Sequence, residues 1–343
     1  MRLKTIYSNI PRGTSVLLPI FFQENSAKAI KLLSRAIESV EQQIFPGPHE
    51  ILIIDDGSPT PIETAATRIG SELLRNVRFI RVSRNNGLVN ALNIGLIESC
   101  FPLIARINAD DRWLPTKIQK QFLLFDADPD LSITATGMHL VTPAGERFET
   151  HIRPGDWNGI LRFFINVGCP FPHGSILARR DIFHLMGGYS HLPTTAHCED
   201  YALWGHWLRF FKPAMVEEAL YDGSVSSLHS EHQCKASGLV NARFRAIKPV
   251  ERVPSALADL AGATGLSVLE AGVLAYNLWR FRLSVVLPEA ALGPLDALIP
   301  DRLVLRREES DCPVVDLERI VGRHPTWSGA GQNLEKCLRI SVI

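Results

Sequence analysis

Several features are scarce or missing in this 343-residue chain. No apolar run reaches the roughly 18 residues of a membrane-spanning helix. The nearest stretch, Leu266 to Leu287, is broken by Glu270, Asn277, Arg280 and Arg282. Charge of one sign is not in excess: Lys plus Arg and Asp plus Glu number 36 each, which argues against nucleic acid as a partner because that would need a basic stripe. No G-x-G-x-x-G follows the first apolar stretch, so a dinucleotide dehydrogenase is excluded. The six cysteines show no C-x-x-C pair and no zinc spacing with histidine. They read as scattered, mostly buried thiols of a reducing, cytoplasmic compartment. The first 14 residues are polar and lack the apolar core of a secretory leader.

What is present is a large apolar fraction, 46%, and a regular alternation. Ser15-Val16-Leu17-Leu18-Pro19 reads as a short strand, and Asn25-Ser26 offers a helix cap before Ile30, Leu33, Ile37 and Val40 at helical spacing. Ile51 to Ile54 is the continuous apolar run of a strand buried on both faces, ending in Asp55-Asp56-Gly57. A helix is predicted over Glu63 to Leu74 and a strand over Val77 to Val82. After the Asn86-Gly87 turn, Leu88, Ala91, Leu92, Gly95 and Leu96 mark one helical face, and Leu103 to Ile107 the next strand. Strand and helix alternate four times within about 115 residues, which predicts an α/β fold built on a parallel sheet.

The most informative segment is Ile107-Asn108-Ala109-Asp110-Asp111-Arg112. It places two adjacent carboxylates at the carboxyl end of a buried strand, where α/β sheets bind ligands. Such a pair repels itself unless a cation lies beside it, and a divalent ion with a diphosphate on its far side meets that need. Asp56 and Asn86-Gly87 fall at equivalent strand ends. Asp126, Asp128 and Asp130 alternate like a calcium loop but lack its glycine and closing glutamate, so they read as a polar loop. His173, between Pro172 and Gly174, reads either as a pocket-lining residue or as a structural loop histidine. Arg179-Arg180 reads as a solvated face. Beyond about Ser237 the chain turns to Ala, Leu and Val with many Arg, and a mainly helical region is expected, either packed on the core or touching a membrane or second subunit.

These motifs resemble those of the family 2 glycosyltransferases, which have the nucleotide-sugar-binding GT-A fold. The branch most resembled makes capsule, exopolysaccharide or O-antigen. The resemblance rests on six segments in order: Ser15 to Pro19, Ile53 to Ser58, Asn86 to Asn93, Ala105 to Asp111, Gly187-Gly188-Tyr189, and Glu199 to Trp204. It implies a mixed, mostly parallel central sheet flanked by helices. It also implies a GT-A domain over residues 12–235 (nucleotide-binding half 12–115, acceptor half 116–235) and a helical extension over 236–343. The donor would be a nucleotide-diphosphate sugar, a UDP-sugar favoured, with Mn2+ or Mg2+. The acceptor would be a saccharide or lipid-linked saccharide at the inner face of the cell membrane. Pro19 and Phe21 would flank the nucleobase and Asp56 would accept from its ring N–H. Asn86 and Gly87 would line the donor site, Asp110 would bond the ribose and Asp111 the metal. Asp200 would be the general base of an inverting displacement, with Glu199 orienting it.

Three departures from the family pattern stand out. Asn108 replaces a frequent Asp, Phe22 a frequent Asn, and a late His has no counterpart in Tyr221 to Ser226, with His229 and His232 nearby. The Q-x-x-R-W motif of processive synthases is missing, which favours one sugar per binding event. Two functions compete with this reading: a sugar-phosphate nucleotidyltransferase, which would carry an early Gly-rich basic loop, and a non-catalytic nucleotide-sugar-binding protein, which would have no use for a base at Asp200.

Overall fold

The computed structural model describes residues 12–142, 144–191, 198–224, 252–281, 284–286, 289–299 and 339–341. These form two compact units, one from residues 12–205 and 213–224, the other from 206–212 and the described residues beyond 252.

The larger unit is built on a nine-stranded sheet. Its first half contains β1 (Thr14–Ile20), β2 (His49–Asp55), β3 (Val77–Arg81) and β4 (Leu103–Arg106), in the order β3-β2-β1-β4 and all parallel. Helices α1 (Ala27–Glu41), α2 (Ile62–Ala66) and α3 (Leu88–Glu98) make the crossovers. Every residue of β1 is buried, as expected of a strand with a parallel neighbour on each side. Ser26 caps α1 by accepting from the Ala29 N–H, and Ile30, Leu33, Ile37 and Val40 face the core as their spacing requires.

Beyond β4 the sheet becomes mixed. It continues through β8 (Leu177–Arg179), antiparallel to β4, then β6 (Ile133–Val141), β9 (Pro213–Ser224) and β5 (Arg112–Trp113), with β7 (Arg147–His151) also pairing β6. Helices α4 (Lys117–Ala127), α5 (Trp157–Asn166), α6 (Arg180–Met186) and α7 (Glu199–Phe210) accompany these strands. Ile118, Phe122 and Phe125 of α4, and Leu203 and Trp204 of α7, are buried as predicted. The result is a mixed, mostly parallel central sheet flanked by helices.

The smaller unit contains α8 (Val253–Thr264), α9 (Val268–Phe281), α10 (Glu289–Leu298) and a two-stranded pair, β10 (Ser284–Val286) with β11 (Arg339–Ser341). Arg209 donates to the Leu298 carbonyl there, and Phe210 packs edge-on against Tyr276. No single helix among the described residues is long and apolar enough to cross a membrane. Together α8 and α9 meet the length and composition test only as a pair bent by 99°.

Two sequence expectations need correction. The helix predicted over Glu63 to Leu74 ends at Ala66. Thr67 spends its hydroxyl on the Thr64 carbonyl, and the chain runs on in tight i→i+3 turns through Gly70. Arg179 is not a solvated residue either. It is buried and donates to the Leu131 and Pro129 carbonyls, while Arg180 donates to that of Ser99. Both guanidinium groups are spent on backbone carbonyls rather than on solvent.

Candidate active site

Strand register decides what meets at the carboxyl edge of the sheet. Ile20 pairs with Asp55, Leu17 with Arg106, and Asp55 with Arg81. The loops after β1, β2 and β4 therefore leave from one edge, carrying Phe21, Asp56 and the Asp110–Asp111 pair. Pro19 is buried within β1, and Phe21 is 41% exposed at its end. Asp55 folds inward, accepting from the Ser58 and Ile62 N–H groups and pairing with Arg81. Asp56 points the other way: its two oxygens accept from Asn86 N (3.1 Å) and Gly87 N (2.8 Å). The Asp56 and Asn86-Gly87 motifs are thus one assembly, a carboxylate fixing a loop. Gly57 makes the turn possible, because its φ is 75° and a Cβ would collide with the Arg84 backbone.

Beside this edge lies an open pocket of about 300 Å3, lined by Phe22, Ser26, Lys28, Ala29, Leu32, Ala109 and Asp110. That volume is at the lower end of small-molecule sites. Lys28, in the first turn of α1, was not marked in the sequence; no motif distinguishes it from any other helix lysine.

Asp111 is 2% exposed and accepts three hydrogen bonds. They come from Asn108 Nδ2 (2.6 Å), the Tyr221 hydroxyl and Ser224 N (2.9 Å). Ser224 Oγ also donates to Asp110, and Arg35 donates to the Asp110 backbone carbonyl at 2.8 Å. Even so, burial, and then the charge of Asp110, push the Asp111 carboxyl above the usual range, outweighing its three donors. The pair is short of positive charge. A carboxylate oxygen offers two lone pairs, and Asp111 Oδ1 receives only the Ser224 N–H. Among the described residues nothing donates to Asp110 Oδ1. These free oxygens and the excess of negative charge fit a hard divalent cation.

The role of Tyr221 and Ser224 was missed in the sequence, where their segment was read only as a shortened motif. The structure brings them to the acids across a separation of about 110 residues, because β9 pairs with β5 immediately after Asp111. His229 and His232 lie outside the described residues.

The second acidic group opens α7. Asp200 Oδ1 accepts from Tyr201 N, and its Oδ2 lies 3.6 Å from His173 Nδ1. Burial, then the neighbouring charge of Glu199, raise Asp200 to about 6, against the Tyr201 N–H and the Arg106 guanidinium. Burial, then Arg106, hold His173 well below its ordinary value, so it is neutral. Donor atoms of His173, Glu199 and Asp200 lie within 4.8 Å of one another.

The two acidic groups are linked through contacts. Tyr221, which donates to Asp111, packs its ring against Gly174, where a Cβ would overlap the phenol, and Gly174 follows His173 in sequence. Arg106, 5% exposed at the end of β4, acts electrostatically on Asp200, His173 and Tyr221 alike, and donates to Asn108 Oδ1 at 2.6 Å. It is a buried cation that reaches Asp111 only through Asn108, which accepts from it and donates to that carboxylate.

A sequence model of glycosyl transferase family 2 matches residues 15–186, half of the chain and all of the strands described up to β8. The chain belongs to that family. As a family 2 glycosyltransferase it is an enzyme, and the resemblance read from its motifs holds. It is 27% identical over 195 residues to the putative glycosyltransferase EpsE of Bacillus subtilis (strain 168), covering 56% of this chain and 67% of that protein. It is 26% identical over 190 residues to the amylovoran biosynthesis glycosyltransferase AmsE of Erwinia amylovora, covering 55% and 67%. Its fold is similar to that of the mannosyltransferase PcManGT of Pyrobaculum calidifontis, solved in complex with GDP-Man and Mn2+. That match has a TM-score of 0.50 and 15% identity and covers 88% of this chain and 89% of that one. The architecture is the GT-A fold, as the motifs implied.

Proposed function

We propose that this glycosyltransferase moves one sugar per binding event from a nucleotide-diphosphate sugar, a UDP-sugar favoured, to a saccharide or lipid-linked saccharide. The product would be a bacterial surface polysaccharide, made at the cytoplasmic face of the cell membrane. The anomeric carbon is inverted. One observation carries the reading: the Asp110–Asp111 pair and the Asp200–His173 pair are joined by contacts that run from Asp111 through Tyr221 to Gly174, the chain neighbour of His173. The naming of AmsE as an amylovoran biosynthesis enzyme and the GDP-Man in the mannosyltransferase complex support the product and donor classes.

In this reading Pro19 and Phe21 flank the nucleobase, and Asp56, with one lone pair left on each oxygen, accepts from its ring N–H. The Asn86-Gly87 loop borders the donor, and Asp110 bonds the ribose. Asp111 holds Mn2+ or Mg2+, which when bound offsets charge developing on the leaving diphosphate. Asp200 takes the proton of the acceptor hydroxyl as that oxygen attacks, and Glu199 orients the base. A carboxyl near 6 is ionised at neutral pH yet more basic than a free aspartate. Residues 12–235 act as the GT-A domain in two halves, 12–115 for donor and 116–235 for acceptor, with 236–343 as an extension.

The test is turnover on a panel of UDP- and GDP-sugars, with and without Mn2+, followed by proton NMR of the new linkage. Metal-dependent transfer with inverted anomeric configuration is expected. Retained configuration would contradict the single displacement.

A further inference from the structure

Asp200 stands at the end of a file of groups that donor binding does not use. The first is Asn93 of α3. Its side chain holds Tyr189 from both sides, accepting from the Tyr189 N–H at 2.8 Å and donating to the Tyr189 carbonyl at 2.9 Å. The Tyr189 hydroxyl lies 2.8 Å from His173 Nε2. The ring of His173 is set by Tyr189, at a centroid distance of 5.3 Å, and by the edge of Trp204 at 6.0 Å. Its Nδ1 then faces Asp200 Oδ2 at 3.6 Å. Contacts of this kind are often long before substrate binds and tighten in the complex.

Proton counting fixes the direction of the file. A neutral imidazole carries one N–H. The charged neighbours that face it are Arg106 at the end of β4 and Asp200 and Glu199 on α7; burial and Arg106 keep the ring neutral. Burial also pushes up the Tyr189 hydroxyl and the nearby Cys169 and Cys198 thiols, so none of the three ionises at neutral pH. Above about pH 6 the Asp200 carboxylate facing Nδ1 is ionised and can only accept, which favours the ring proton on Nδ1, and the Tyr189 hydroxyl can then donate to Nε2. In this tautomer the ring proton is directed at Asp200.

We propose that His173, with its tautomer set by Tyr189, is a positioning residue that holds the Asp200 carboxylate aimed at the acceptor hydroxyl. This rests on the reading of Asp200 as the base. In the transfer step the acceptor O–H proton passes to Asp200, and the hydroxyl oxygen bonds the anomeric carbon. The bond from that carbon to phosphate oxygen breaks, its electron pair leaving on the diphosphate. His173 keeps its proton throughout.

The experiment compares full-length wild type with His173→Ala, His173→Asn, Tyr189→Phe and Asp200→Asn. It measures kcat and KM for the donor, the pH profile of kcat, and thermal stability. His173→Ala is expected to lower kcat by about 10- to 100-fold at unchanged donor KM. Its acid limb moves to higher pH, because the N–H that closes on the charged carboxylate in the substrate complex is lost. His173→Asn places an amide N–H where Nδ1–H stood and recovers most of kcat and the limb. Tyr189→Phe gives a smaller loss in the same direction. A purely structural histidine would instead lower stability and shift KM, with no selective recovery in the Asn variant. An inactive Asp200→Asn beside a His173→Ala with wild-type kcat and limb overturns the proposal and leaves the base intact. An active Asp200→Asn overturns the base itself. Mn2+ binding that survives Asp111→Asn and is lost in His173→Asn makes the His173, Glu199 and Asp200 group a cation site and also overturns the proposal.

Discussion

Replacing Asp200 by Asn should make the protein more stable and nearly inactive, with the gain in stability growing as pH rises. The side chain is 23% exposed, and Asn retains the shape and the oxygen that accepts from Tyr201 N. The structure holds the carboxyl at about 6 against an ordinary 3.8, through burial and Glu199. At roughly 1.4 kcal/mol per tenfold in proton affinity, that disfavours the ionised native state by about 3 kcal/mol. The folded pKa lies above the unfolded one, so the stability associated with the protonated group is complete below 3.8 and lost as pH rises through 6. Asn never ionises and escapes the loss. Urea unfolding of both proteins should therefore give the variant an advantage of about 3 kcal/mol at pH 7.5, falling to about half at pH 5. Its kcat should fall by about 10²- to 10⁴-fold, and wild-type kcat should decline below about pH 6. A stability difference flat in pH, or wild-type turnover in the variant, would refute the reasoning.

Other expectations follow from the same geometry. Lys117 is fully buried beside Trp113 with its ammonium held well below the usual range. The unfolded chain takes up its proton as pH falls below 10.5 while the native state does not. The stability of Lys117→Met relative to wild type should thus rise as pH falls, by about 0.7 kcal/mol per pH unit at 10.5 and approaching about 1.4 below about 9.5, read from unfolding curves at pH 8.5 to 10.5. Gly57→Ala meets a positive φ and the Arg84 backbone, so it should cost more than about 1 kcal/mol in melting experiments and weaken nucleotide binding by loosening the Asn86-Gly87 loop. Asn108→Asp adds a carboxylate within reach of Asp111 and should tighten Mn2+ about tenfold in an EPR titration.

The parts legible in the sequence were those set by local rules. Ile51 to Ile54, flanked by turn residues, could only be a buried strand, and Asp56, Asn86-Gly87 and Asp110–Asp111 were identifiable as strand-end groups for that reason. The first crossover helix followed from Ile30, Leu33, Ile37 and Val40. What escaped depended on distant pairing. Tyr221 and Ser224 reach Asp111 only through the β5–β9 register, and nothing near them in the chain announces it. Arg179 reads as a charged surface residue until the carbonyls of Pro129 and Leu131 are brought to it. His173 was weighed between pocket and loop; its partners Tyr189 and Asp200 come from two other elements. The truncated α2 shows the same limit on a short scale, since Thr67 and Gly70 outweighed an otherwise helical pattern.

Sugar transfer by this site requires that the Asp110–Asp111 edge join a divalent cation to a nucleotide diphosphate. Mn2+ titration followed by EPR, with and without UDP or GDP, on wild type and Asp111→Asn, addresses this most directly. The prediction is that wild type binds Mn2+ more tightly with one of the nucleotides present and that Asp111→Asn loses this coupling while remaining folded. Equal nucleotide affinity with and without the metal, or an undiminished coupling in Asp111→Asn, would contradict it.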